Sequence, residues 1–326
     1  MKNPNNFTLK LFLQLAISAS VTLMSACGGG GGGGSTAPAP APTGGGTPAP
    51  APTADIVTQV PSPTYAALSS ELLAFNRLNV ERDRCGFGKV AQNAKLDASA
   101  AAHRAYIVTN QAFAHTETQG LPGFTGVNPF DRDVAQGYFG SIAEDLSASV
   151  SSPATFSDGE RQTLVLAGAT YHANVITEGY RDVGISWGGG AFAMELGTPT
   201  GQSAQTAPGV RTYPCDGSTD VLASISSEEP NPFPNQSTSW GPTIQVIGEQ
   251  IRITSAAITG PAGSVALKAT YADGQQADPN AHCLGNRGCV IPAPLLPSTV
   301  YHVQVAGTQA GQAFTKAFSF TTSSKP

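Results

Sequence analysis

The chain has 326 residues, only 12% of them Asp, Glu, Lys or Arg, and a formal net charge of −5, so its ionisable groups form a small set. No Lys/Arg block lies outside the extreme N-terminus, which excludes the basic footprint a nucleic-acid binder needs to displace counterions from phosphate. Length favours two folded domains once tails are set aside, and after the first apolar run no second one is long enough to span a bilayer.

Residues 1–27 read as a targeting segment. Lys2 and Lys10 supply positive charge, and Leu11 to Ala26 supplies an apolar core interrupted by Gln14, which suits a signal peptide better than a permanent membrane helix. The segment closes on Leu23-Met-Ser-Ala-Cys27, small residues before a cysteine, and so resembles the bacterial lipobox. That resemblance implies cleavage before Cys27 and its acylation; ordinary cleavage with a spare cysteine is the alternative. Each buried acyl CH₂ contributes about 0.8 kcal/mol, so several chains would hold the protein firmly on a membrane. No Asp follows Cys27, and the expected location is therefore the outer membrane or cell surface. Residues 28–61 follow as a tether, with Gly28 to Gly34 as flexible coil and Ala-Pro repeats as extended polyproline II.

Four further cysteines, Cys85, Cys215, Cys283 and Cys289, make an even number in an exported chain and suggest disulfides. Three connectivities are open; pairing within domains would give Cys85–Cys215 and Cys283–Cys289. No Cys-x-x-Cys spacing supports a zinc-thiolate site.

The first folded domain is expected over 62–217. Leu68, Leu72, Phe75 and Asn79 form one apolar stripe of a helix that begins after Pro63, with Thr64 as its cap, and stops before Cys85-Gly-Phe-Gly88. A second, Ala-rich helix runs from about Leu96 to Asn110 and turns His103 inward, where a hydrogen-bonded core role outweighs a ligand role. A long polar loop, 116–137, carries Pro122-Gly123 and Asn128-Pro129; loops of that length are functional or disordered. Ile142 to Leu146 is a short apolar segment bearing Glu144. A third helix is expected over Arg161–Thr177, then a hairpin with Val183, Ile185 and Trp187 on one face and a second strand over Ala191–Leu196. Helices first and a hairpin last suggest an α+β class.

Leu78-Asn79 with Arg82, Asn93 and Leu96 before the helix bearing His103, Phe113-Ala-His115-Thr116, Gly137-Tyr138, Ala143-Glu144-Asp145-Leu146, and Tyr171-His172 before Val183-Gly184-Ile185 form an ordered set over about 150 residues. The set resembles the CAP superfamily, that of cysteine-rich secretory proteins, antigen 5 and pathogenesis-related 1 (the SCP domain), in its bacterial form. The resemblance implies an α-β-α sandwich with a cleft lined by His and acidic side chains, able in several members to hold a divalent metal such as zinc. Carried over, the metal ligands would be His115, His172 and Glu144, with Glu117 and His103 as accessories. Two imidazoles and a carboxylate leave a fourth zinc position open for water, whose pKa such a metal brings toward about 7. Without metal, Glu144 beside an imidazole could serve as general base. The chain departs from the family at Ala143 and Asp145, where Gly and Asn are usual, and at Ala173, where Arg is.

Residues 218–326 read as a second domain. Five alternating segments, 243–247, 251–258, 265–271, 300–306 and 314–321, are separated by Gly, Pro and Asp turns and predict a small β-sandwich. Leu296-Pro-Ser-Thr-Val-Tyr301 resembles bacterial Ig-like domains, and His282 and His302 are expected at the surface. Two functions follow. One is a non-catalytic surface module whose His/Glu cleft binds a divalent metal, small lipid or protein partner, with the C-terminal module a spacer or itself the binder of a partner or glycan. The other is a metal-dependent, peptidase-like hydrolase of an envelope substrate using His115, His172 and Glu144. Fold alone does not choose between them.

Overall fold

Ser69 opens the first helix. Its hydroxyl accepts from the Leu72 amide at 3.1 Å, and α1 (Ser70–Arg84) follows. Thr64, the expected cap, instead donates from both its amide and its hydroxyl to Oε1 of Gln92. Leu68 therefore stands outside the helix, 83% exposed, and the inward face is carried by Ala74, Phe75, Leu78 and Asn79. The computed structural model describes residues 54–148, 158–234, 236, 238–272, 274 and 276–324. These fall in one compact unit. The expected leader, Cys27 and the tether up to residue 53 lie outside the described residues.

After α1 come β1 (Ala91–Gln92), α2 (Ala94–Asn110), α3 (Pro129–Ala135), β2 (Gly140–Ala148), α4 (Asp158–Gly168), α5 (Asn174–Thr177), β3 (Asp182–Gly188) and β4 (Ala191–Pro199). The strands form a sheet in the order β1-β3-β4-β2, with β4 antiparallel to both its neighbours. α2 presses its backbone onto β3 at Gly184, where an added Cβ would meet the Leu96 carbonyl carbon at 2.1 Å. Asp97, in the first turn of α2, accepts from the Ile185 amide at 3.0 Å and the Tyr65 hydroxyl at 2.6 Å. Tight helix-on-sheet contact thus comes from a residue without a side chain, and a carboxylate locks its register.

Two expectations change here. The long loop contains α3, whose start is built by a capping box: Asn128 accepts from the Asp131 amide and Asp131 accepts from the Asn128 amide, with Pro129 at the first position. The expected third helix is divided. α4 ends at Gly168 and α5 begins only at Asn174, because the carboxylate of Glu228 takes the amides of Thr170, Tyr171 and His172 at 2.8, 2.6 and 3.0 Å. Amides held by a side chain cannot donate to the preceding helical turn.

Nine strands follow: β5 (Arg211–Tyr213), β6 (Ser218–Val221), β7 (Ile244–Ile247), β8 (Arg252–Gly260), β9 (Gly263–Ser264), β10 (Leu267–Tyr271), β11 (Arg287–Pro292), β12 (Val300–Gln309) and β13 (Gln312–Thr322). They make two sheets, β10-β11-β7-β5 and β6-β13-β12-β8-β9, sharing a core that includes Ile244, Val246, Ile253, Val290, Val303 and Phe320. The five expected segments are present; β5, β6, β9 and β11 are additional. β5 pairs with β7, so strands on both sides of residue 217 share one sheet. The Tyr301 hydroxyl accepts from the Leu296 amide at 2.9 Å. Disulfides join Cys85 to Cys215 and Cys283 to Cys289.

The described residues are mostly β: three sheets, and five helices of which only α1 and α2 exceed eleven residues. That overturns the helix-rich α-β-α sandwich implied by the resemblance, because the third helix is interrupted and α3 is a short turn of helix inside a loop. The all-β reading of the C-terminal part is compatible with what is seen.

Candidate functional site

Three elements converge on Glu144. It lies in the middle of β2, whose residues from Glu144 to Ser147 are buried. α3 turns Arg132 toward it, and the segment leading out of α2 brings His115 over it. Arg132 donates from Nη2 to Glu144 Oε2 at 2.5 Å and from Nη1 to the His115 carbonyl at 3.0 Å. His115 Nδ1 meets Glu144 Oε1 at 2.8 Å. The Glu144 and Arg132 side chains are wholly buried, whereas His115 is 46% exposed. One imidazole edge therefore faces water above a buried ion pair.

His103 on α2 extends the network inward. Its Nδ1 lies 2.9 Å from Glu117 Oε1 and its Nε2 lies 3.0 Å from the Ala114 carbonyl. Glu117 also accepts from the amides of Thr125 at 2.6 Å and Gly126 at 3.4 Å, which folds the loop back on itself. His103 and Glu117 are thus spent on holding the loop that positions His115.

The electrostatics divide the neighbouring carboxyls. Burial acts to raise the Glu144 pKa, but the hydrogen bonds from His115 and Glu195 and the charges of His103 and Arg132 win and hold it down at about 2. Glu195 faces it directly from β4 in the antiparallel register. Glu195 is fully buried, and burial together with the charge of Glu144 and the hydrogen bond between the two carboxyls pushes its carboxyl well above the usual range. Glu144 carries the charge and Glu195 the proton. Asp133, next to Arg132, is pushed up to about 6, and Asp145 to about 7, both chiefly by burial.

His172 is engaged elsewhere. Its Nδ1 meets Glu228 Oε1 at 2.9 Å, and the same carboxylate holds the three amides that break the helix. Burial acts to lower its pKa, but the Glu228 hydrogen bond and the charges of Asp145 and Glu228 outweigh it, so the pKa rises. Of the expected triad, His115 and Glu144 are in contact while His172 is hydrogen-bonded to Glu228.

Arg132, Glu195 and Glu228 were not singled out from sequence. Glu195 was findable, as the one acid in the apolar run Ala191–Leu196. Arg132 needed α3, which Asn128-Pro129 and Asp131 signal as a capping box. Glu228 carried no local signal. His282 and His302 are exposed, as expected.

A divalent ion would have to approach Glu144 past a guanidinium already bonded to it, with His115 in reach, His103 at 3.7 Å but hydrogen-bonded at both ring nitrogens, and His172 held by Glu228. Among the described residues no three His, Cys, Asp or Glu side chains are grouped to hold a metal. The residues present do not fit the zinc tripod.

No family model matches the chain, and no curated protein matches it. Among solved structures, one similar chain is an extracellular protein containing a SCP domain from Bacillus anthracis str. Ames, at 16% identity and a TM-score of 0.34. The match covers 40% of this chain and 40% of that one, well under two thirds of that protein's length.

Proposed function

We propose that this chain is an exported, membrane-tethered binding module that carries out no turnover at His115–Glu144. The observation that carries the reading is the commitment of Glu144: both oxygens are taken, by Arg132 at 2.5 Å and His115 at 2.8 Å. A carboxylate held near about 2 is a poor proton acceptor at neutral pH, since general bases work best with a pKa near the operating pH. The leader, Cys27 and the Gly/Ala-Pro tether support export and anchoring at the outer membrane or cell surface. The two cystines of the described residues support an oxidising compartment.

The test is turnover by the full chain purified in detergent, with chromogenic peptide and ester substrates, each with and without zinc, beside Glu144→Gln and His115→Ala. No product above buffer, and no saturable zinc heat in a calorimeter, is the expected result. Turnover that Glu144→Gln abolishes would overturn the reading in favour of a metal-dependent hydrolase.

A further inference from the structure

An open groove lies where Phe139 leads into β2 beside the end of β4. One part, with a volume of about 400 Å³, is lined by Phe130, Phe139, Ser141, Thr200 and Gln202 among others. A hollow of about 300 Å³ shares Phe139, Pro199 and Thr200 with it and reaches Asn93 and Lys95. Both volumes lie in the range of small-ligand sites.

The lining has a particular chemistry. Phe130 and Phe139 are 52% and 59% exposed, so two aromatic rings stand in water. Neither is loosely attached: Phe130 is the second residue of α3, behind the Asn128 cap, and the Phe139 carbonyl accepts from the Thr200 amide at 2.8 Å. Ser141, Thr200 and Gln202 are exposed, and their side chains make no hydrogen bond to the described residues. The cation, Lys95, is engaged with the Gly137 carbonyl at 2.8 Å. No carboxylate lines either part.

We propose that this groove binds a neutral oligosaccharide. A pyranose presents a face of C–H groups and a rim of hydroxyls. The face lies flat on the electron-rich side of an aromatic ring. The rim takes donors and acceptors such as two hydroxyls and a carboxamide, which supplies both. Two rings along one groove suit more than one sugar unit. An acyl chain would leave the hydroxyls and the carboxamide unpaired against hydrocarbon, and an anionic ligand would meet one ammonium already hydrogen-bonded. The groove is distinct from His115–Glu144 and does not depend on the absence of turnover there.

The experiment titrates the full chain in detergent with cellotetraose, maltotetraose and the N-acetylglucosamine tetramer, read by calorimetry. Saturable binding of at least one probe is expected. Phe130→Ala with Phe139→Ala should weaken it about tenfold or more, as removal of central aromatic anchors does. Thr200→Val with Gln202→Leu should weaken it severalfold, and His115→Ala should leave it unchanged. Each ring is little more than half exposed, so the double Phe variant should lose only a few degrees of thermal midpoint and still unfold cooperatively. The proposal is overturned if no tetrasaccharide binds, if affinity survives loss of both rings, or if an extended peptide displaces the bound sugar by pairing along the outer edge of β2. Chromatography of the probe after incubation separates the two proposals: cleaved sugar would sink the non-catalytic reading and leave the groove standing.

Discussion

Arg132 reaches Glu144 from a different element, twelve residues away in sequence, and the two side chains meet at 2.5 Å with neither exposed to water. A buried pair of this kind is weak evidence of net stabilisation, because desolvation offsets much of the attraction. Removing one partner is another matter, since it leaves an uncompensated buried charge. Arg132→Met should therefore cost about 3–5 kcal/mol in urea unfolding. Adding Glu144→Gln to it should recover part of the loss. A loss under about 1 kcal/mol for the single variant would mean that water or a rearranged loop reaches Glu144.

Stability should fall as pH rises from mildly acidic to neutral. Asp145 has its folded pKa raised from 3.8 to about 7 by burial, against the opposing charges of His172 and His115. The folded state then holds more protons than the unfolded one between those values, and stability declines with pH across that window. Each pH unit of the separation costs about 1.4 kcal/mol at neutral pH. His172, raised above 6.5, acts in the same direction: its contribution is full below 6.5 and lost as pH passes its higher folded value. Glu144 acts oppositely, its contribution present above 4.5 and lost as pH falls toward about 2. Thermal midpoints from pH 3 to 9 should peak on the acid side of neutrality. Asp145→Asn should flatten the decline between pH 4 and 7, and an unchanged slope would count against a buried, protonated Asp145.

Glu228 holds three amides and one imidazole with a single carboxylate. Glu228→Ala should cost about 2–4 kcal/mol, since charge-assisted hydrogen bonds are the strong ones and their donors are left buried. The segment 168–173 should become the first site of limited proteolysis. Glu228→Gln, which retains an acceptor oxygen, should recover part of the stability, and protease resistance equal to the parent in Glu228→Ala would show that the helix break has another cause.

Gly184 stands where α2 and β3 touch. Gly184→Ala would set a methyl group 2.1 Å from the Leu96 carbonyl carbon, a backbone atom that cannot rotate away. The expected cost is about 2–4 kcal/mol by denaturant titration, at or above the upper range for overpacking. Gly190→Ala is the control for the method: the added carbon meets nothing within 4 Å, although its φ of +83° predicts a smaller backbone penalty.

Much of the chain was legible from its residues: α2 from its Ala-rich run behind Asn93, the hairpin β3–β4 from alternation, the C-terminal strands from their turns, and the inward turn of His103. These signals are local, set by side-chain period and by which residues satisfy a helix end or a turn. The capping box of α3 was equally local. Tertiary structure alone decided the rest. Whether residues 161–177 form one helix or two depended on Glu228, more than fifty residues further along the chain. Which of His115 and His172 shares Glu144 depended on where Arg132 and Glu228 lay. The predominance of sheet over helix followed from strands such as β5 and β11 that acquire partners only in the folded chain. Periodicity reports the face a residue turns inward; it does not report what that face will meet, and pairing among buried charges is set by the meeting.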